Sequence, residues 1–159
     1  MLRLGLAIVL ASAASMAQAL SCMPHDVSVA YRWADASDAA YGVVRGVLEF
    51  DETLLPVTDW DNQEATPAQT DIPARLVGQS MSHDGTGTPF AKDVTLRVNC
   101  AGPWCSGANS GSEVLAFVRY DPEAMIVETA PCGAFLFDTP SKALLQRVEN
   151  CLRRGRCRK

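Results

Sequence analysis

Histidine is scarce in this chain: His25 and His83 are the only two among 159 residues. A histidine-based relay or a histidine-rich metal site therefore has little to draw on. Ser82, His83 and Asp84 are neighbours, but a catalytic relay is assembled in space from separate elements, and adjacent residues cannot form it. That stretch reads as a polar turn with Asp84-Gly85 at its tip. No glycine-rich phosphate cradle and no nucleophile elbow occurs. The carboxylates between positions 51 and 71 follow no spacing that forces a facing acid/base pair. Asp59, Asp61 and Glu64 lack the glycine and the closing glutamate of a calcium loop. No internal repeat or low-complexity segment is present, and no apolar run is long enough to cross a bilayer. These absences point away from an enzyme and imply neither cofactor nor metal. The rival enzyme or metallochaperone reading would have to use His25, His83 and scattered carboxylates.

What is present begins with residues 1–19. A basic start at Arg3, an apolar run Leu4–Ala14 and the ending Ala17-Gln18-Ala19 form the pattern of a secretory signal with an A-x-A cleavage site. Cleavage there leaves a single domain, 20–159, of 140 residues, large enough for its own core. Export sets the redox compartment, periplasmic or extracellular, so the six cysteines at 22, 100, 105, 132, 151 and 157 are read as disulfides. Charge is segregated. Residues 20–142 hold 7 basic and 17 acidic side chains, and residues 143–159 hold 6 basic and 1 acidic. The acidic body argues against nucleic acid or anionic lipid as the main partner. The basic end Arg153-Arg154-Gly155-Arg156-Cys157-Arg158-Lys159 reads either as a contact for an acidic surface or as solvated charge that complements a helix C-terminus, with solvated charge favoured.

Helical spacing of Val29, Trp33, Ala36 and Ala40 predicts a short helix within Asp26–Ala40. Five strands are expected: Tyr41–Phe50, Ile72–Ser82, Lys92–Cys100, Glu113–Tyr120 and Ala124–Ala130, the last two joined as a hairpin by Asp121-Pro122-Glu123. Lys92–Cys100 alternates cleanly, with Val94, Leu96, Val98 and Cys100 on one face. Met81–Phe90 reads as a turn, Asp51–Asp71 as a long acidic surface loop, and Ala101–Ser112 as a Gly/Ser loop. Thr139-Pro140 reads as the start of a last helix, Leu144, Leu145, Val148, Cys151 and Leu152 as its apolar stripe, and Gly155 as its end. Five short strands and a terminal helix fit a mainly β, OB-fold-like five-stranded barrel with a short N-terminal and a C-terminal helix.

Six cysteines allow fifteen pairings. Cys100 and Cys105 flank a tight Gly-Pro loop, and Gly155 permits a reversal that joins Cys151 to Cys157. Cys22 and Cys132 remain, a bridge closing over a hundred residues and worth about 4.7 kcal/mol on the loop-entropy model. Two rivals stand beside this. The spacings C-x4-C and C-x5-C loosely suggest metal ligands, but not the tight C-x2-C of a zinc knuckle. Ala19-Leu20-Ser21-Cys22 faintly matches a bacterial lipoprotein box, and lipidation at Cys22 would strand an odd number of cysteines. Trp104, in Gly102-Pro103-Trp104-Cys105, reads either as a ligand-facing aromatic or as packing over its neighbouring disulfide, with packing favoured.

Ser21-Cys22, the strand Tyr41–Phe50, Cys105 ahead of Val114–Tyr120, and Met125–Cys132 together resemble the netrin-like module, the OB-fold of the tissue inhibitors of metalloproteinases. The layout also looks like small bacterial exported proteins carrying a Gly-Pro-Trp-Cys loop. In the inhibitors, the resemblance implies, the free amine of an N-terminal cysteine in a C-x-C motif chelates the protease zinc. Here Ser21-Cys22-Met23-Pro24 has one cysteine, and the expected cut leaves Leu20 in front of it. The sequence therefore leads to a monomeric, non-catalytic exported module that binds a protein or cell-envelope partner. Its expected contacts are the acidic loop, with Asp59, Asp61 and Glu64, and the Gly/Ser loop, with Trp104. An inhibitor acting through Cys22 and an envelope lipoprotein anchored there are the alternatives.

Overall fold

The structure, a computed structural model, describes residues 21–22 and 24–157; the expected signal peptide lies outside the described residues, as do Leu20, Arg158 and Lys159. The elements are α1 (Val27–Asp35), β1 (Ala40–Phe50), β2 (Gln69–Met81), β3 (Gly87–Ala101), β4 (Trp104–Cys105), β5 (Ser112–Tyr120), β6 (Met125–Thr129), β7 (Leu136–Asp138) and α2 (Lys142–Arg154). Around the sheet, β1 pairs with β2, β2 with β3, β3 with β6, β6 with β5, and β5 with β1 again. All these pairings are antiparallel except β3–β6. Five strands thus close a barrel in the Greek-key order of the OB-fold, as the strand pattern led us to expect. Two short strands were not foreseen: β4 folds back on β3, and β7 pairs with β5 beyond the end of β6.

Buried and exposed residues alternate along β2, whereas β5 is buried on both faces from Val114 to Val118, and β1 and β6 are so at Val43-Val44 and Ile126-Val127. Val114, Ala116 and Val118 join Val44, Leu48, Ile72, Leu76, Leu96 and Val127 inside the barrel. Leu115 and Phe117 point outward into a second core with Val27, Tyr31, Phe137, Leu145, Val148 and Leu152, where both helices cover the wall. The unbroken apolar run Val114–Val118 is the sequence trace of a strand with no wet face.

Several local expectations are corrected. In α1 the buried stripe is Val27, Ala30 and Tyr31, while Trp33 is 54 % exposed. The helix ends at Asp35, so Ala36 and Ala40 fall beyond it and cannot extend a stripe from Val29 and Trp33. The expected turn Met81–Phe90 shrinks to the residues between β2 and β3, because Met81 pairs with Gly87 and Gly78 with Phe90. Pro89 is tolerated there since that half of β3 pairs only with β2. Helix α2 is capped by Ser141, whose Oγ accepts from the Leu144 N–H at 3.2 Å, and not by Thr139. Thr139 instead takes φ 46° to turn the chain out of β7. Gly155 ends the helix in the left-handed conformation, as expected.

Disulfides join Cys22 to Cys132, Cys100 to Cys105, and Cys151 to Cys157. The first ties the N-terminal segment to the chain beyond β6, the second closes the β3–β4 reversal, and the third lies in the helix-side core.

Candidate functional site

Two long loops meet at one end of the barrel. The segment leaving β1 opens with Asp51, whose carboxylate accepts from the Thr53 hydroxyl at 2.7 Å and its N–H at 3.0 Å. Those bonds, the hydroxyl's first, hold the Asp51 carboxyl below the usual carboxylate range. They start a short helical turn, Glu52–Leu54. Glu52 then accepts from the Ser110 N–H at 2.7 Å, and Ser110 Oγ bridges the Phe50 N–H and C=O. Further on, Thr58 Oγ1 donates to the Pro103 carbonyl at 2.5 Å. The acidic loop and the Gly/Ser loop are therefore bonded to each other at two points and form one surface.

The expected contact residues lie on this surface. Asp59 Oδ1 accepts from the N–H groups of Asp61 and Asn62 at 2.9 and 3.1 Å, a side-chain-closed turn. Asp61 and Glu64 are exposed on the same segment. Trp104 is half-buried in β4, directly before Cys105 of the Cys100–Cys105 bridge. The residue missed from sequence is Trp60. The turn at Asp59 holds its indole outward, 63 % exposed, with Val57 86 % and Leu54 47 % exposed nearby along the loop. Its signal was available: residues 46–74 contain seven carboxylates and no Lys or Arg, and Trp60 stands between two of those carboxylates. A large aromatic with no core to enter, in a stretch that cannot pair its own charge, is a recognition feature.

Beside this surface a cavity of about 340 Å³ opens where the N-terminal segment crosses the barrel, lined by Cys22, His25, Ser106, Thr129, Gly133 and Asp138 among others. His25 stacks on Phe137 with ring centroids 3.8 Å apart, and its Nε2 lies 3.2 Å from the Ala134 carbonyl. Burial lowers the pKa of this ring, against smaller opposing effects of the Ala134 carbonyl and Asp26. His83 sits elsewhere, in the β2–β3 turn, with Nδ1 2.6 Å from the Leu152 carbonyl at the end of α2. The two histidines each serve a backbone carbonyl and do not share a site. Among the described residues no group of three His, Cys, Asp or Glu side chains is arranged to hold a metal. Cys22 Sγ is bonded to Cys132, and a lipid thioether would compete for that same sulfur.

The outer barrel wall is electrically balanced. Asp71 takes Arg97 through both oxygens at 2.7 and 2.8 Å, which lowers its carboxyl pKa. Arg75 pairs with Asp93, Arg45 with Glu113, and Arg119 with Asp121. Exposed pairs of this kind contribute little to stability, but they leave these arginines without free charge to offer a polyanion. Among the described residues no helix is long and apolar enough to cross a membrane.

No protein-family model, curated protein or solved structure matches this chain.

Proposed function

We propose that this chain is an exported, disulfide-stapled OB-fold module that binds a protein partner of the cell envelope without catalysis, through the pole formed by its two joined loops. The observation that carries this reading is the exposed Trp60, held outward by Asp59 on a loop bonded to the Gly/Ser loop. A rigid barrel that presents an aromatic anchor ringed by like charge has the anatomy of a protein-recognition patch, with a central apolar contact and a polar rim. The separation of His25 from His83 supports the non-catalytic reading. Three disulfides fit an oxidising compartment.

The test is capture from envelope extract on the immobilised chain, compared with Trp60→Ala and with a triple variant carrying Asn at 59 and 61 and Gln at 64. Partner recovery falls at least about tenfold for Trp60→Ala if the indole is an anchor of the usual strength. Undiminished recovery by both variants overturns the assignment. Mass spectrometry of the exported protein separates the alternatives. A free Leu20 N-terminus fits the proposal, an acylated Cys22 indicates an anchored lipoprotein, and a free Cys22 amine supports the inhibitor reading.

A further inference from the structure

The partner patch described above has a complement on the same molecule. Helix α2 carries on its outer side a depression of about 350 Å³, lined by Ala143, Gln146, Arg147, Asn150, Arg154 and Arg156, among others. Arg147 pairs with Asp26 at 3.1 Å, while Arg154 and Arg156 are exposed and have no carboxylate partner among the described residues. An acidic loop with a protruding indole and a groove rimmed by free guanidinium groups are matched in charge. They are also matched in chemistry, since arginine stacks on tryptophan and pairs with carboxylate.

The two features do not meet within one copy: Trp60 is exposed, and neither Arg154 nor Arg156 pairs with a carboxylate among the described residues. The acidic loop leads into β2 at Gln69, and β2 runs thirteen residues to Met81, a length on the order of 40 Å at the rise of an extended strand. At that far end His83 bonds the Leu152 carbonyl and so holds the C-terminal turn of α2, where Arg154 and Arg156 lie. The knob and the Arg154/Arg156 end of the groove therefore lie toward opposite ends of β2.

We infer that a second copy of this chain is a partner for the Trp60 pole: Asp59-Trp60-Asp61 of one molecule enters the Arg154/Arg156 groove of the next. The inference rests on the two-loop pole being a recognition surface, and identifies one of its occupants. Each copy has one knob and one groove, so the contact is heterologous, head to tail, and extends into chains or closes into rings according to the rotation per step.

Sedimentation velocity of the disulfide-intact protein tests this at low salt over a range of concentrations. The mean sedimentation coefficient rises with concentration and returns to the monomer value near 1 M salt, where screening acts within about 3 Å. Trp60→Ala and the pair Arg154→Glu/Arg156→Glu each hold the protein at the monomer value, with unchanged circular dichroism. The two variants mixed form a complex that stops at two copies, because one retains only a groove and the other only a knob. A monomeric parent at every concentration, association that survives either variant, or no complex in the mixture overturns the inference. If self-association fails while Trp60→Ala still abolishes capture from envelope extract, the recognition pole stands and only its occupant here is wrong.

Discussion

Gly133 shows how a single position controls the N-terminal segment. Its φ is +83°, and a Cβ built there would run into the His25 ring. Gly133→Ala therefore strains the backbone and displaces His25 from its stack on Phe137. The expected loss is about 1–3 kcal/mol, read as a lower denaturant midpoint. His25 itself makes stability depend on pH. Its pKa is lowered by burial in the folded state, so below about 6.5, the ordinary histidine value, the unfolded chain binds the extra proton first. Stability is full above that pH and declines as pH falls from there toward the lower folded-state pKa. His25→Phe keeps the stack and removes that slope. A parent and a variant with the same pH profile between 7 and about 5 would contradict the assignment.

At the scale of elements, the Cys22–Cys132 bridge spans 110 positions and anchors the segment that carries His25 and the Asp26 cap of α1. Replacing both cysteines by Ala should cost about 4–5 kcal/mol on the loop-entropy model. Removing Cys100–Cys105, which spans only five positions, should cost about 2 kcal/mol. Thermal denaturation of the two double variants gives the order directly, and a larger loss at Cys100–Cys105 would show that local strain, and not loop length, governs these bridges. Strand limits and strand number were largely readable because β1, β2, β3 and β5 alternate or run apolar, and turn residues interrupt them. β4 and β7 were not readable. Two- and three-residue strands carry no period, and they exist only because β3 and β5 offer open edges to a returning chain. The helix cap moved from Thr139 to Ser141 for a similar reason: the turn out of β7, which no local propensity records, takes up Thr139 and Pro140.

At the scale of the whole molecule, β5 couples the two cores. Phe117 lies in the helix-side core, and its neighbours Ala116 and Val118 lie in the barrel. Phe117→Ala should cost about 3–5 kcal/mol. The barrel and the helices should still unfold together, with the midpoint lowered and the denaturant slope unchanged. Circular dichroism at helix and strand wavelengths would then trace one curve. Two separated transitions would show the helical layer to be an independent unit.

By itself the sequence determined the strand pattern of the barrel, the acid-to-base polarity of the chain, and the pairing of the cysteines by distance along it. These are properties of local period, composition and loop length, and all three can be counted on a linear chain. Only the tertiary structure decided which side chains share a surface. Thr58 and Pro103 stand 45 positions apart, and Glu52 and Ser110 58 apart, and closure of the barrel brings each pair into hydrogen-bond contact. The same closure placed His25 and His83 at separate carbonyls, and set the Trp60 loop and the Arg154/Arg156 end of the groove toward opposite ends of β2. Contact across such distances is set by how five strands close on one another, and no pattern along the chain records it.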